Sequence, residues 1–144
     1  MSLTSFAKST LCTAVVVALG GVATSASADD LHCAPAVIVT NGKPASIKVL
    51  NFKYKTATGG NTVFTEGLAN KKLAANGEEH TWKSQKLNDA ATGIVVTSTA
   101  IEYKNDNSGA GDGYGPPKTS KWITRSYTCN DSHTYPHTIT TQDP

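Results

Sequence analysis

Cysteine is scarce in this 144-residue chain, long apolar runs are missing and the formal net charge is only +2, and each absence closes off a class of protein. Three cysteines, Cys12, Cys33 and Cys129, form no CxxC pair of the kind that redox and zinc sites use. The longest apolar stretch, Leu11 to Ala23, falls short of the roughly 20 residues a helix needs to span a bilayer of about 30 Å, and Gly20-Gly21 weakens it further. The small charge excess gives no electrostatic footprint for nucleic acid or an anionic membrane. Its basic residues are scattered, with Lys53 and Lys55, Lys71 and Lys72, and Lys83 and Lys86 as the only local pairs, which reads as a solvated β surface. No stretch sustains a helical period of 3.6, and there is no internal repeat. A GxSxG or other nucleophile context is also missing, which argues against a hydrolase, and a non-enzymatic role is favoured over a small catalyst.

The first residues carry an address. Lys8, the apolar run and the small residues Ala26-Ser27-Ala28 ahead of Asp29 follow the order of a cleavable secretory signal peptide. Residues 1–28 are therefore expected to leave, with residues 29–144 forming a single domain that is secreted or periplasmic and has no transmembrane segment. Lipid anchoring through Cys12 is disfavoured because that cysteine precedes the apolar run's valines instead of closing the run. Cys33 and Cys129 then remain as one presumed disulfide, 96 residues apart, in an oxidising compartment.

Short apolar runs separated by turn residues predict strands. Ala36 to Thr40 ends at Asn41-Gly42, a hairpin signal, and Ala45 to Lys55 follows. Within the latter, Ile47 and Val49 change phase to Leu50, Phe52 and Tyr54, which predicts a bulge or bend near Val49-Leu50. Thr62 to Thr65 is a short strand and Glu66 to Leu73 a strand or irregular edge. Strands follow at Glu78 to Leu87 with Trp82 at its centre, Ile94 to Lys104, Lys121 to Cys129, and His133 to Thr140. The fold class expected is all-β, an antiparallel β-sandwich of about seven strands, with a barrel second.

Candidate chemistry is sparse. His133 and His137 would share a helical face, but Pro136 excludes the helix, and a strand would hold their Cβ atoms about 13 Å apart. The disulfide could bring His32 and His133 near one another, yet two surface histidines are the simpler reading, and the start expected at Asp29 opposes a copper site on His32 as an N-terminal residue. The stretch from Asp106 to Asp112 is rich in carboxylate and glycine, but an EF-hand register would put Ala110 and Pro117 at ligand positions, so no metal and no cofactor is expected. Asn130-Asp131-Ser132 fits a glycosylation sequon. The glycine-rich connection from Asn105 to Ser120 is expected to be mobile and to make contacts. Trp82, Trp122 and Tyr114, with Asp106 and Asp112, are the candidate ligand-binding residues, since aromatic faces on a sandwich hold sugar rings or anchor partners. Both tryptophans have an alternative place in the core. The function expected is a non-enzymatic binding or interaction domain for a carbohydrate or macromolecule other than nucleic acid; the alternative is a hydrolase inhibitor or a small membrane-active β protein.

Overall fold

The structure, a computed structural model, describes residues 32–107 and 113–144; the expected signal segment and Asp112 lie outside the described residues. Eight strands form where β-branched and aromatic residues alternate with polar ones: β1 (Ala36–Asn41), β2 (Ile47–Thr56), β3 (Phe64–Leu73), β4 (Glu78–Trp82), β5 (Val95–Asn105), β6 (Lys118–Thr119), β7 (Ile123–Thr128) and β8 (Thr134–Ile139). They make two sheets, one ordered β4-β1-β8, the other β3-β2-β5-β6 with β7 also paired to β5. All pairings are antiparallel except β1 with β8, which run parallel. One core lies between the sheets, with Val37, Val39, Tyr135 and Ile139 from the first and Ile47, Val49, Phe52, Tyr54, Leu68, Leu73, Val96, Ile101 and Tyr103 from the second. The fold is thus an all-β sandwich, with one more strand than expected because Lys118–Thr119 pairs with Glu102 and Tyr103. No helix long and apolar enough to cross a membrane occurs among the described residues.

The phase change in β2 has the predicted cause. Val49 faces Tyr103 of β5 and Asn51 faces Glu102, so Leu50 is an extra residue without a partner. Ile47 and Val49 before this bulge, and Phe52 and Tyr54 after it, consequently all point into the core. On the other side Val49 faces Lys71 and Asn51 faces Gly67, so Leu68, Ala69 and Asn70 of β3 stand against Leu50 alone. Ala69 and Asn70 take up the excess with left-handed φ values of 56° and 53°. Asparagine tolerates that region, whereas alanine does so at a cost of about 1 kcal/mol.

The Asn41-Gly42 hairpin does not form, because β1 and β2 belong to different sheets. Asn41 instead fastens the corner between the sheets. Its buried Nδ2 donates to the carbonyls of Ala45 (2.9 Å), Leu73 (3.3 Å) and Ala74 (2.8 Å), while its Oδ1 accepts from the Lys43 N–H (3.0 Å). The Asn76-Gly77 turn packs against the same corner, its two N–H groups donating to the Lys43 and Asn41 carbonyls. Glu66 to Leu73 belongs to a full ten-residue strand, and Trp82 ends β4 instead of centring it.

Cys33 and Cys129 are bonded, as the sequence led us to expect. The Cys33 backbone also exchanges hydrogen bonds with Ala90 and Leu87, and that of Cys129 with Ile94 and Gly93, so the bridge binds the segment before β1 and the end of β7 to the 87–94 loop. Two charged side chains are internal. Glu66 accepts from the Tyr54 hydroxyl and from the N–H and side-chain amide of Asn88. Lys43 Nζ donates to Tyr103 Oη (2.9 Å), Asn105 Oδ1 (3.1 Å) and the carbonyls of Asp143 and Pro144, and burial lowers its pKa.

Candidate functional site on the outer face of the five-stranded sheet

Alternation along β2 sends Ile47, Val49, Phe52 and Tyr54 inward, and so sends Lys48, Asn51, Lys53 and Lys55 outward. Strand pairing adds the neighbours. Lys48 stands directly opposite Lys72 of β3 on one side and Lys104 of β5 on the other, a row of three lysines across three adjacent strands. Like charges directly opposite one another weaken a sheet. Further along, Lys53 Nζ donates to Glu102 Oε1 at 2.6 Å, and the Asn51 side-chain amide donates to Glu102 Oε2. The Lys53 hydrogen bond, helped by Asn51 and opposed by burial, holds the Glu102 carboxyl below its ordinary pKa. The carboxylate in the middle of the face is therefore engaged, and the row at Lys48 has no ion pair among the described residues.

An aromatic ring stands at each end of this face. Lys48 Nζ lies 5.6 Å from the centre of the Tyr114 ring, and Lys55 Nζ lies 5.0 Å from the Trp122 ring. From Lys48 to Lys55 the strand covers about 20 Å. Trp122 is 38% exposed. Tyr114 with Lys48, Asn70 and Lys72 lines an open cleft of about 340 Å³. Its hydroxyl is buried and has no hydrogen-bond partner among the described residues. Asn70 reaches the cleft through the left-handed bulge of β3.

The connection that carries Tyr114 is tied down on both sides of residues 108–112. Asp106 bridges to Tyr114, Asn107 N–H donates to the Gly113 carbonyl, and Gly115 N–H donates to the Asn105 carbonyl. A Cβ at Gly115 would lie 2.5 Å from the Asn107 side-chain amide nitrogen, so the two residues pack closely and any larger residue there would displace that side chain. Asp106 accepts from Ser46 Oγ at 2.6 Å, beside the lysine row.

Of the sequence candidates, Tyr114, Asp106 and Trp122 thus belong to this face. Trp82 does not. It lies on β4 in the other sheet, packs against the core and donates its indole N–H to the Leu68 carbonyl at 3.0 Å, with His80 edge-on at 4.6 Å. One tryptophan is therefore structural and one is displayed, so they do not form a common platform. His137 is 3% exposed, its Nε2 has no hydrogen-bond partner among the described residues, and burial drives its pKa down to about 3. His133 packs against the exposed Tyr127 ring at 4.3 Å, and His32 bridges to Ala91. No group of three His, Cys, Asp or Glu able to hold a metal occurs among the described residues.

The residues missed in the sequence are Lys48, Asn70, Lys72 and Lys104. Their only local signal was the alternation that put lysines at outward positions of β2. Comparison of the chain with protein-family models, curated proteins and solved structures finds no match.

Proposed function

We propose that this protein is a secreted or periplasmic, non-enzymatic binding domain that takes its ligand, a carbohydrate or other macromolecule, on the outer face of the five-stranded sheet. The observation that carries this reading is the display of two rings, Tyr114 and Trp122, on that one face, each backed by a lysine. Aromatic rings at such positions offer large rigid contact area at low entropic cost, and the lysines beside them supply hydrogen-bond donors. The expected export signal and the disulfide fit a compartment outside the reducing cytoplasm.

The test is a panel of soluble polysaccharides, neutral and charged, titrated into the isotopically labelled protein and followed by NMR. Shifts should cluster on Tyr114, Trp122 and the outward residues of β2. Loss of binding in Trp122→Ala or Tyr114→Ala, with the fold intact, supports the site. Shifts confined to the three-stranded sheet overturn it. A second reading, a hydrolase inhibitor, draws on the exposure of Pro116 and Pro117 at the turn before β6. It predicts saturable inhibition of a glycosidase or protease that is lost on replacing both prolines.

A further inference from the structure

We infer that the cleft formed by Lys48, Asn70, Lys72 and Tyr114 is a subsite for an acidic group, and that the ligand is an acidic polysaccharide carrying carboxylates or sulfates. The inference rests on the reading of the outer face as the binding surface and adds the chemistry of what it binds.

Three observations converge on the cleft. Lys72, Lys48 and Lys104 occupy directly opposed positions, an arrangement that costs stability and that a single glutamate on either flank would relieve. Glu102 on this face is paired with Lys53 and hydrogen-bonded by Asn51, and Asp106 accepts from Ser46. The Tyr114 ring stands in the wall of the same cleft, with Lys48 Nζ 5.6 Å from its centre, so cation and ring face one space.

The chemistry of the donors selects the ligand. Lysine ammonium groups are mobile point charges suited to carboxylate, sulfate or phosphate. Asn70 adds an amide that can both donate and accept, which suits a hydroxylated ring beside the acidic group. A nucleic acid would call for stacking rings at successive bases, whereas the two rings here sit beside Lys48 and Lys55, positions about 20 Å apart along β2. The one arginine of the chain, Arg125, is directed elsewhere, donating to Thr99 Oγ1 and the Pro136 carbonyl.

Calorimetry on the exported protein, residues 29–144, tests this with polygalacturonate as the carboxylated probe, dextran sulfate as the sulfated one, dextran as the neutral one and a single-stranded oligonucleotide. Polygalacturonate or dextran sulfate should bind, and whichever binds identifies the acidic group. Affinity should fall with added salt and drop about tenfold or more in the Lys48→Gln, Lys72→Gln double variant. A Lys83→Gln, Lys86→Gln variant, equal in charge but altered elsewhere, should bind as the parent does. Acidic polysaccharide bound equally well by the Lys48, Lys72 variant overturns the subsite. Dextran bound as tightly as its sulfated form overturns the acidic ligand while leaving the outer-face reading in place. Preference for the oligonucleotide overturns the carbohydrate. Binding of no polysaccharide, charged or neutral, overturns both this inference and the reading beneath it.

Discussion

Lys72→Glu should make the protein more stable, an unusual direction for a point substitution. Lys72 lies on β3, the edge strand of its sheet, directly opposite Lys48, and its side chain is exposed. A like-charged cross-strand pair costs about 0.2–1 kcal/mol and an opposite pair contributes a similar amount. Lys72→Gln removes the repulsion and should gain about 0.2–0.5 kcal/mol; Lys72→Glu reverses it and should gain about 0.5–1 kcal/mol. Lysine and glutamate have similarly low β-propensity, so the difference reports charge. For a domain of this size the larger gain raises Tm by about 2–5 °C. Urea denaturation is the suitable assay, since guanidinium is itself a salt. In 1 M salt, where the screening length is about 3 Å, the gain should largely vanish. Lys83→Glu, outside the row, should stay within about 0.5 kcal/mol of the parent. A Lys72→Glu protein no more stable than the parent, or one whose advantage persists undiminished in 1 M salt, refutes the idea that the row stores repulsion. The same variant should bind acidic polysaccharide less well, so that stability and binding move in opposite directions.

The two tryptophans should separate in mutagenesis: Trp82→Ala should cost about 2–4 kcal/mol in urea unfolding, through lost packing and the stranded Leu68 carbonyl, while Trp122→Ala costs under about 1 kcal/mol. His137 gives an acid sensitivity. Its pKa is about 3 in the fold and about 6.5 when unfolded, so only the unfolded chain takes a proton between those values. Its contribution is intact above pH 6.5 and is lost as pH falls, by up to about 1.4 kcal/mol per pH unit until about pH 3; Tm measured against pH should show this loss, and His137→Phe should flatten it. Asn41→Ala should cost about 2–4 kcal/mol, because the buried Leu73 carbonyl, the part-buried Ala45 and Ala74 carbonyls and the Lys43 N–H each lose a partner, and a calorimetric unfolding series would show it.

Period-two patterning made most of the fold legible, since a half-buried strand shows its face in its own residues. The slip from Val49 to Leu50 even located the bulge, because a strand with one buried face cannot change phase otherwise. Asn41-Gly42 misled for the complementary reason. The pair reports a local turn, and nothing local says whether the next strand joins the same sheet or the opposite one. Lys118–Thr119 was hidden because two residues in a glycine-rich stretch carry no period. The lysine row was invisible for a stronger reason. Lys48, Lys72 and Lys104 are neighbours only through the pairing of β2 with β3 and β5, and in sequence each stands among unrelated residues. Net charge counts such lysines but does not place them, so the near-neutral total concealed a cationic face. Trp122 was legible as an aromatic but was expected inside a strand, whereas it lies just before β7, which begins at Ile123, and its exposure there is a matter of how β7 pairs with β5, which no single strand reveals.

The union of the parallel β1–β8 pair with the Cys33–Cys129 bridge also determines how the domain carries tension. A pull between residue 33 and residue 144 travels through the sulfur bridge and bypasses the 96 residues it spans. Only the stretch after Cys129 can lengthen, about 50 Å at roughly 3.4 Å per residue, against about 380 Å for the reduced chain. That stretch contains β8, and drawing it along its partner loads the β1–β8 hydrogen bonds in shear, together, instead of peeling them one at a time. A protein tethered at its ends to a stretched polymer or a moving surface would then behave as a short stiff link, with the lysine-bearing sheet held outside the path of the force.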